Sequence, residues 1–132
     1  RKAFFATSDI VSLHVRLKPE TKGCITPADL QAMQDRSLIV NTSRSGLIKM
    51  GALEAEIERG RIFAAVDVFD EEPLTDVAHP LLTHPNVLAT PHIGYVTEDE
   101  FALQFTDIFD QINAYAKGEP IHMINPDVWV SH

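Results

Sequence analysis

The chain has one cysteine, Cys24, so it can close no internal disulfide. A reducing, cytoplasmic setting is expected from that scarcity. No apolar run approaches the ~20 residues that a membrane-spanning helix needs. Positive charge is also short: Lys and Arg number 11 against 19 Asp and Glu, a net charge of −8. A nucleic-acid groove or an anionic membrane surface is therefore a poor partner for it. There is no internal repeat, no low-complexity segment and no signal-peptide pattern. The chain opens Arg1-Lys2-Ala3 without a methionine, which reads as a piece of a longer chain.

What is present is an ordinary globular composition. The 132 residues, 45% of them hydrophobic, suffice for one compact domain. Short apolar runs rich in β-branched residues predict strands over 9–15 (DIVSLHV), 37–42 (SLIVNT), 62–69 (IFAAVDVF) and 86–90 (NVLAT). Between them lie helix signals. Thr26 can cap, Pro27 suits a first helical position and Asp29 favours a first turn, predicting a helix over 26–33. A second helix is predicted over 49–60, with Leu53 and Ile57 four apart and Gly60 closing it. A third spans 97–118. Thr97 and Glu100 have capping-box spacing, and Phe101, Phe105, Ile108, Phe109, Ile112 and Tyr115 form one apolar, core-packing face. Strands alternating with helices imply a parallel α/β sheet, and nearly continuous apolar strands suit a sheet covered on both faces.

In such sheets ligands bind beyond the carboxyl ends of the strands. Arg44 follows the second predicted strand, Asp67 and Glu72 lie in or after the third, and His92 follows the fourth. Arginine can grip a carboxylate with a planar fork. Histidine can exchange a proton near neutral pH, and a neighbouring carboxylate orients it and favours its protonated form. The trio suits a substrate whose carboxylate adjoins a carbonyl or hydroxyl, with hydride supplied by a cofactor. Taken singly, each also has a structural reading: Arg44 as a loop residue on backbone carbonyls, His92 as a satisfied strand-end histidine, Glu72 as a solvated turn acid. Asp67, amid apolar residues, needs a partner, a strand-end position or a ligand. His79, His84 and His92 match no common zinc spacing, so no metal is expected. Cys24 reads as buried filler.

The stretches "NTSRSGLI", "GALEAEIERGRIFAAVDVFDEEP" and "HPLLTHPNVLATPHIG" closely resemble the D-isomer-specific 2-hydroxyacid dehydrogenases, and "SDIVSLHVRLKPETKGCITPADLQAM" resembles the segment before those motifs. The resemblance implies a D-2-hydroxy acid/2-keto acid oxidoreductase using NAD, with NADP left open, that works as a cytoplasmic homodimer. It places Arg44 on the substrate-binding arginine, His92 on the catalytic histidine and Glu72 on its acid partner. Asp67 falls on the aspartate contacting the nicotinamide carboxamide. Thr42 and Ser43 fall on contacts to the same ring, with Gly94 in the loop beside it. His14 lies in a loop over the cofactor, where Arg16 stands in place of a common proline.

The family's G-x-G-x-x-G motif does not occur in these 132 residues. The expected architecture is thus a Rossmann-like half-domain, the second βαβ half, with a long C-terminal helix. Residues 1–95 would carry the strand and helix alternation, 96–118 the returning helix and 119–132 a tail. The glycine-rich half and the substrate domain would lie elsewhere. Two other readings stand beside the enzyme: a dinucleotide-sensing module of the co-repressor type, and a fragment inert for want of the pyrophosphate site.

Overall fold

A computed structural model of the chain describes residues 1–130. The chain divides into two compact units, the first running from Arg1 to Gly94 and the second starting at Tyr95. The tail expected over 119–132 includes positions 131 and 132, which lie outside the described residues.

The first unit is a four-stranded parallel sheet of β1 (Ile10–Ser12), β2 (Leu38–Asn41), β3 (Phe63–Val66) and β4 (Val87–Ala89). The strands lie in sequential order, with Val11 opposite Ile39, Ile39 opposite Ala64 and Ala64 opposite Val87. Helices α1 (Lys2–Thr7), α2 (Pro27–Ala32), α3 (Ala52–Ile57) and α4 (Pro80–Thr83) pack side by side. Right-handed crossovers between strands in sequential order put all connecting helices on one face. Burial follows: Val11, Ile39, Ala64 and Val66 point into the helical layer and pack with Leu30, Leu47, Leu53 and Ile57. The expectation of a sheet covered on both faces does not hold within residues 1–94. On the opposite face Ile10, Phe63 and Leu88 are 62%, 38% and 69% exposed.

Local signals explain the elements. Thr26 caps α2 by a complete capping box: its hydroxyl accepts from the Asp29 amide, and the Asp29 carboxylate accepts from the Thr26 amide. Arg61 closes the far end of α2, donating to the carbonyls of Leu30, Gln31 and Met33 while paired with Glu56 and Asp35. Gly60, at φ 70°, ends the turn after α3 in a left-handed conformation open to glycine. The strands are shorter than their apolar runs. Ladder hydrogen bonding nonetheless continues past three of them, from Leu13 to Val40, from Asp67 to Asn41 and from Thr90 to Val66.

The second unit contains α5 (Glu98–Ala116) and a 3-10 turn at Pro126–Val128. Thr97 caps α5 by accepting from the Glu100 amide, but the reciprocal half of the box is not made, since Glu100 accepts from Gln104 instead. The rings of Phe101, Phe105 and Phe109 follow one another along the helix at 4.3 and 6.4 Å. Near its end Tyr115 meets Trp129 edge-on at 5.5 Å.

Candidate active site

Because the strands are parallel, the segments after β2, β3 and β4 leave the sheet at one edge. Each brings polar residues there. After β2, the buried Asn41 builds the turn: its amide NH2 donates to the Arg44 carbonyl and its oxygen accepts from the Ser43 amide. Thr42 and Arg44 are thereby held exposed. Arg44 spends one guanidinium nitrogen on the Ser43 carbonyl at 2.6 Å. Thr42, Ser43 and Arg44 line a cavity of about 330 Å³ with Val15, Arg16 and Leu17 from the loop after β1. His14, exposed in that loop, bonds through Nε2 to the Ser12 hydroxyl at 2.8 Å.

The segment after β3 carries two carboxylates with different partners. Asp67, one residue past the strand and 2% exposed, accepts from the Thr90 hydroxyl (2.5 Å), the Ile93 amide (2.9 Å) and the Gly94 amide (2.8 Å). Burial works to raise its pKa, but these bonds, with the charge of His92, outweigh it and hold the carboxyl below its ordinary 3.8. Gly94 permits the close approach, since a Cβ there would stand 2.9 Å from Asp67 Oδ2. Glu72 accepts the Phe69 amide on Oε1 at 2.9 Å and meets Nδ1 of His92 through Oε2 at 2.6 Å. The His92 bond, then the Phe69 amide, hold the Glu72 carboxyl below its ordinary value, and the charges of His92 and Arg44 add to this. The Glu72–Pro73 peptide is cis. Asp70 and Glu71 are exposed and reach neither His92 nor Asp67.

His92 follows β4 with a left-handed backbone, φ 56°. It is half-buried, and its ring lines a mostly apolar cavity of about 350 Å³ with Phe69, Glu72, Leu74, Leu82 and Thr90. With Nδ1 engaged by Glu72, Nε2 is the ring nitrogen left to face a ligand. Arg44 and His92 leave strands two places apart, about 10 Å between backbones.

The structure thus brings Glu72 to His92, and Asp67 to the loop that carries Gly94. It sets Thr42, Ser43 and Arg44 together on the neighbouring turn, with His14 on the loop beyond. Asn41 and Thr90 were missed as site-building residues. The signal for Asn41 was a carboxamide ending an apolar strand; Thr90 offered none. His79 and His84 each use Nδ1 to accept a nearby backbone amide. Among the described residues no group of three or more His, Cys, Asp or Glu is placed to hold a metal ion. Nor is any helix among them long and apolar enough to cross a membrane.

Residues 1–94 match the family model described as "D-isomer specific 2-hydroxyacid dehydrogenase, NAD binding domain". The chain is 41% identical over 113 residues to the D-3-phosphoglycerate dehydrogenase of Methanocaldococcus jannaschii, covering 85% of this chain and 21% of that protein. The phosphoglycerate oxidoreductase structure from Vibrio cholerae o395 superposes with a TM-score of 0.82 at 42% identity, over 88% of this chain and 37% of that one. A D-isomer specific 2-hydroxyacid dehydrogenase from Xanthobacter autotrophicus Py2, in complex with NADPH and MES, superposes with a TM-score of 0.67 at 33% identity, over 92% of this chain and 49% of that one. The chain therefore spans half or less of the length of each of these proteins. Its four parallel strands and long C-terminal helix are those of a Rossmann-like NAD-binding domain, and the chain belongs to the D-isomer-specific 2-hydroxyacid dehydrogenase family.

Proposed function

We propose that the protein to which this chain contributes interconverts a D-2-hydroxy acid and a 2-keto acid, and that this chain supplies Arg44, Glu72 and His92 to that reaction. The observation that carries the reading is the Glu72–His92 pair, 2.6 Å apart at the sheet edge that Arg44 shares. His92 Nε2 gives a proton to the carbonyl oxygen as negative charge builds there, and takes it back in the oxidative direction. Glu72 accepts from Nδ1, which fixes the tautomer and aims Nε2 outward. Arg44, with guanidinium donors to spare beyond its bond to Ser43, grips the substrate carboxylate and polarises the adjoining carbonyl.

The residues fit the nicotinamide end of NAD or NADP. The 330 Å³ cavity beside Thr42 and Ser43 has room for a flat carboxamide-bearing ring, and Val15, Arg16 and Leu17 of the loop after β1, which also carries His14, form its other wall. The bound nicotinamide would supply or accept the hydride. Asp67 and Gly94 lie at the same edge, on the His92 side. A cytoplasmic homodimer acting on small 2-keto acids is the setting that the family implies.

The test is a panel assay on the full-length encoded protein, following NADH and NADPH oxidation with a series of 2-keto acids. Turnover of at least one supports the reading. Tight NADH binding with turnover of none overturns it in favour of a dinucleotide sensor.

A further inference from the structure

We propose that Asp67 is a positioning residue that pins the backbone on both sides of His92 and so sets where its imidazole stands. The kinetic part of this rests on the function proposed above; the structural part does not.

Three observations meet at Asp67. Its carboxylate is 2% exposed, and no Lys or Arg pairs with it among the described residues. A buried charge without a counter-ion must be met by hydrogen bonds. All the donors to that carboxylate come from one five-residue loop: the Thr90 hydroxyl two residues before His92, and the amides of Ile93 and Gly94 just after it. Between them His92 holds φ 56°, uncommon for a side-chain-bearing residue. The bonds of the carboxylate on either side of it hold the loop in that form.

The arrangement complements Glu72. That residue, five positions on from Asp67, binds the His92 ring, while Asp67 binds the two main-chain amides that follow His92, those of Ile93 and Gly94. One short segment after β3 therefore fixes both the rotation of the imidazole and the place of its Cα. Thr90 is the informative member, because its hydroxyl reaches Asp67 Oδ1 and is not itself an acid–base group. A carboxamide at position 67 would present one NH2 where the loop needs two accepting oxygens, so Asp67→Asn must break at least one of the three bonds.

The test uses the full-length encoded protein with Thr90→Val, Thr90→Ser and Asp67→Asn. Two quantities are read: amide hydrogen exchange at Ile93 and Gly94, and the steady-state kinetics of keto-acid reduction. Thr90→Val is expected to speed exchange at both amides by roughly 10-fold. It should also lower kcat by roughly 10-fold or more, as misplacement of a catalytic group does. Its NADH dissociation constant should stay within about 2-fold of wild type, because no uniform binding contact is lost. Thr90→Ser should restore both readouts. In a His92→Ala background Thr90→Val should cost nothing further, since it acts through His92. Unchanged exchange in both Thr90→Val and Asp67→Asn overturns the proposal. So does a rise in NADH dissociation constant with kcat intact, which would make Asp67 and Thr90 a cofactor contact alone. Should wild type turn over no keto acid, the function proposed above fails and hydrogen exchange alone decides the pinning of the loop.

Discussion

Glu72 Oε2 stands 2.6 Å from His92 Nδ1, while the second oxygen of the same carboxylate is tied to the Phe69 amide. The acid is thus fixed at both oxygens before it orients the imidazole, and Glu71, its neighbour in the run Asp70-Glu71-Glu72, has no such contacts.

Glu72→Gln should therefore change the pH dependence of turnover, and Glu71→Gln should not. His92 and the Phe69 amide keep the Glu72 carboxyl below its ordinary pKa, so the group is an anion throughout the working range. The amide variant removes that charge and its support for a proton on the general acid, so the alkaline limb of keto-acid reduction should move to lower pH. The expected loss in kcat is about 10- to 100-fold. Identical pH profiles for the two variants would show that the partner of His92 has been misassigned within the run.

Asp29 should make part of the stability acid-labile. Its carboxyl is held well below its ordinary 3.8, first by Arg1 and then by Thr26, in spite of burial. A folded pKa below the unfolded one means that the contribution is complete above about 3.8 and fades as pH falls below it. Asp29→Asn should lower the unfolding free energy from urea denaturation near neutral pH by about 1 kcal/mol for the weakened capping box. The gap to wild type should narrow at pH about 2.5. A gap independent of pH would contradict the linkage.

Burial on the helical face of the sheet should separate two substitutions that look alike in sequence. Ile39, in β2 and fully buried, should cost about 2–5 kcal/mol when cut to alanine. Leu88→Ala, in β4 on the face away from the helices, should change stability by less than about 1 kcal/mol. Urea denaturation of both variants checks this, and equal losses would contradict the one-sided helical layer.

Much of this was legible where the cause is local. Thr26, Pro27 and Asp29 announce α2 because a cap involves residues three apart. The strands were legible as apolar runs, though their ends were not, because pairing stops where a neighbouring strand turns away. Helix α1 was missed: Arg1 provides no side-chain cap, and adjacent Phe4 and Phe5 suggest no helical period. Helix α4 is a single turn, too short for any periodicity. The pairing of Glu72 with His92 across 20 residues was legible from the strand topology, which sends the segments after β3 and β4 to one edge, and the resemblance singled out Glu72 within the acid run. The bonds of Asp67 to the His92 loop could not be read at all. Two of its three donors are backbone amides, which every residue but proline offers, so no side-chain pattern marks them.

The central claim is that His92 is the acid–base group, and its most direct test is the kcat of His92→Ala in the full-length encoded protein, measured with NADH and the best 2-keto acid. The account predicts a fall of at least about 100-fold, the range for loss of a positioned general acid, with NADH binding retained. Turnover near the wild-type rate would contradict it.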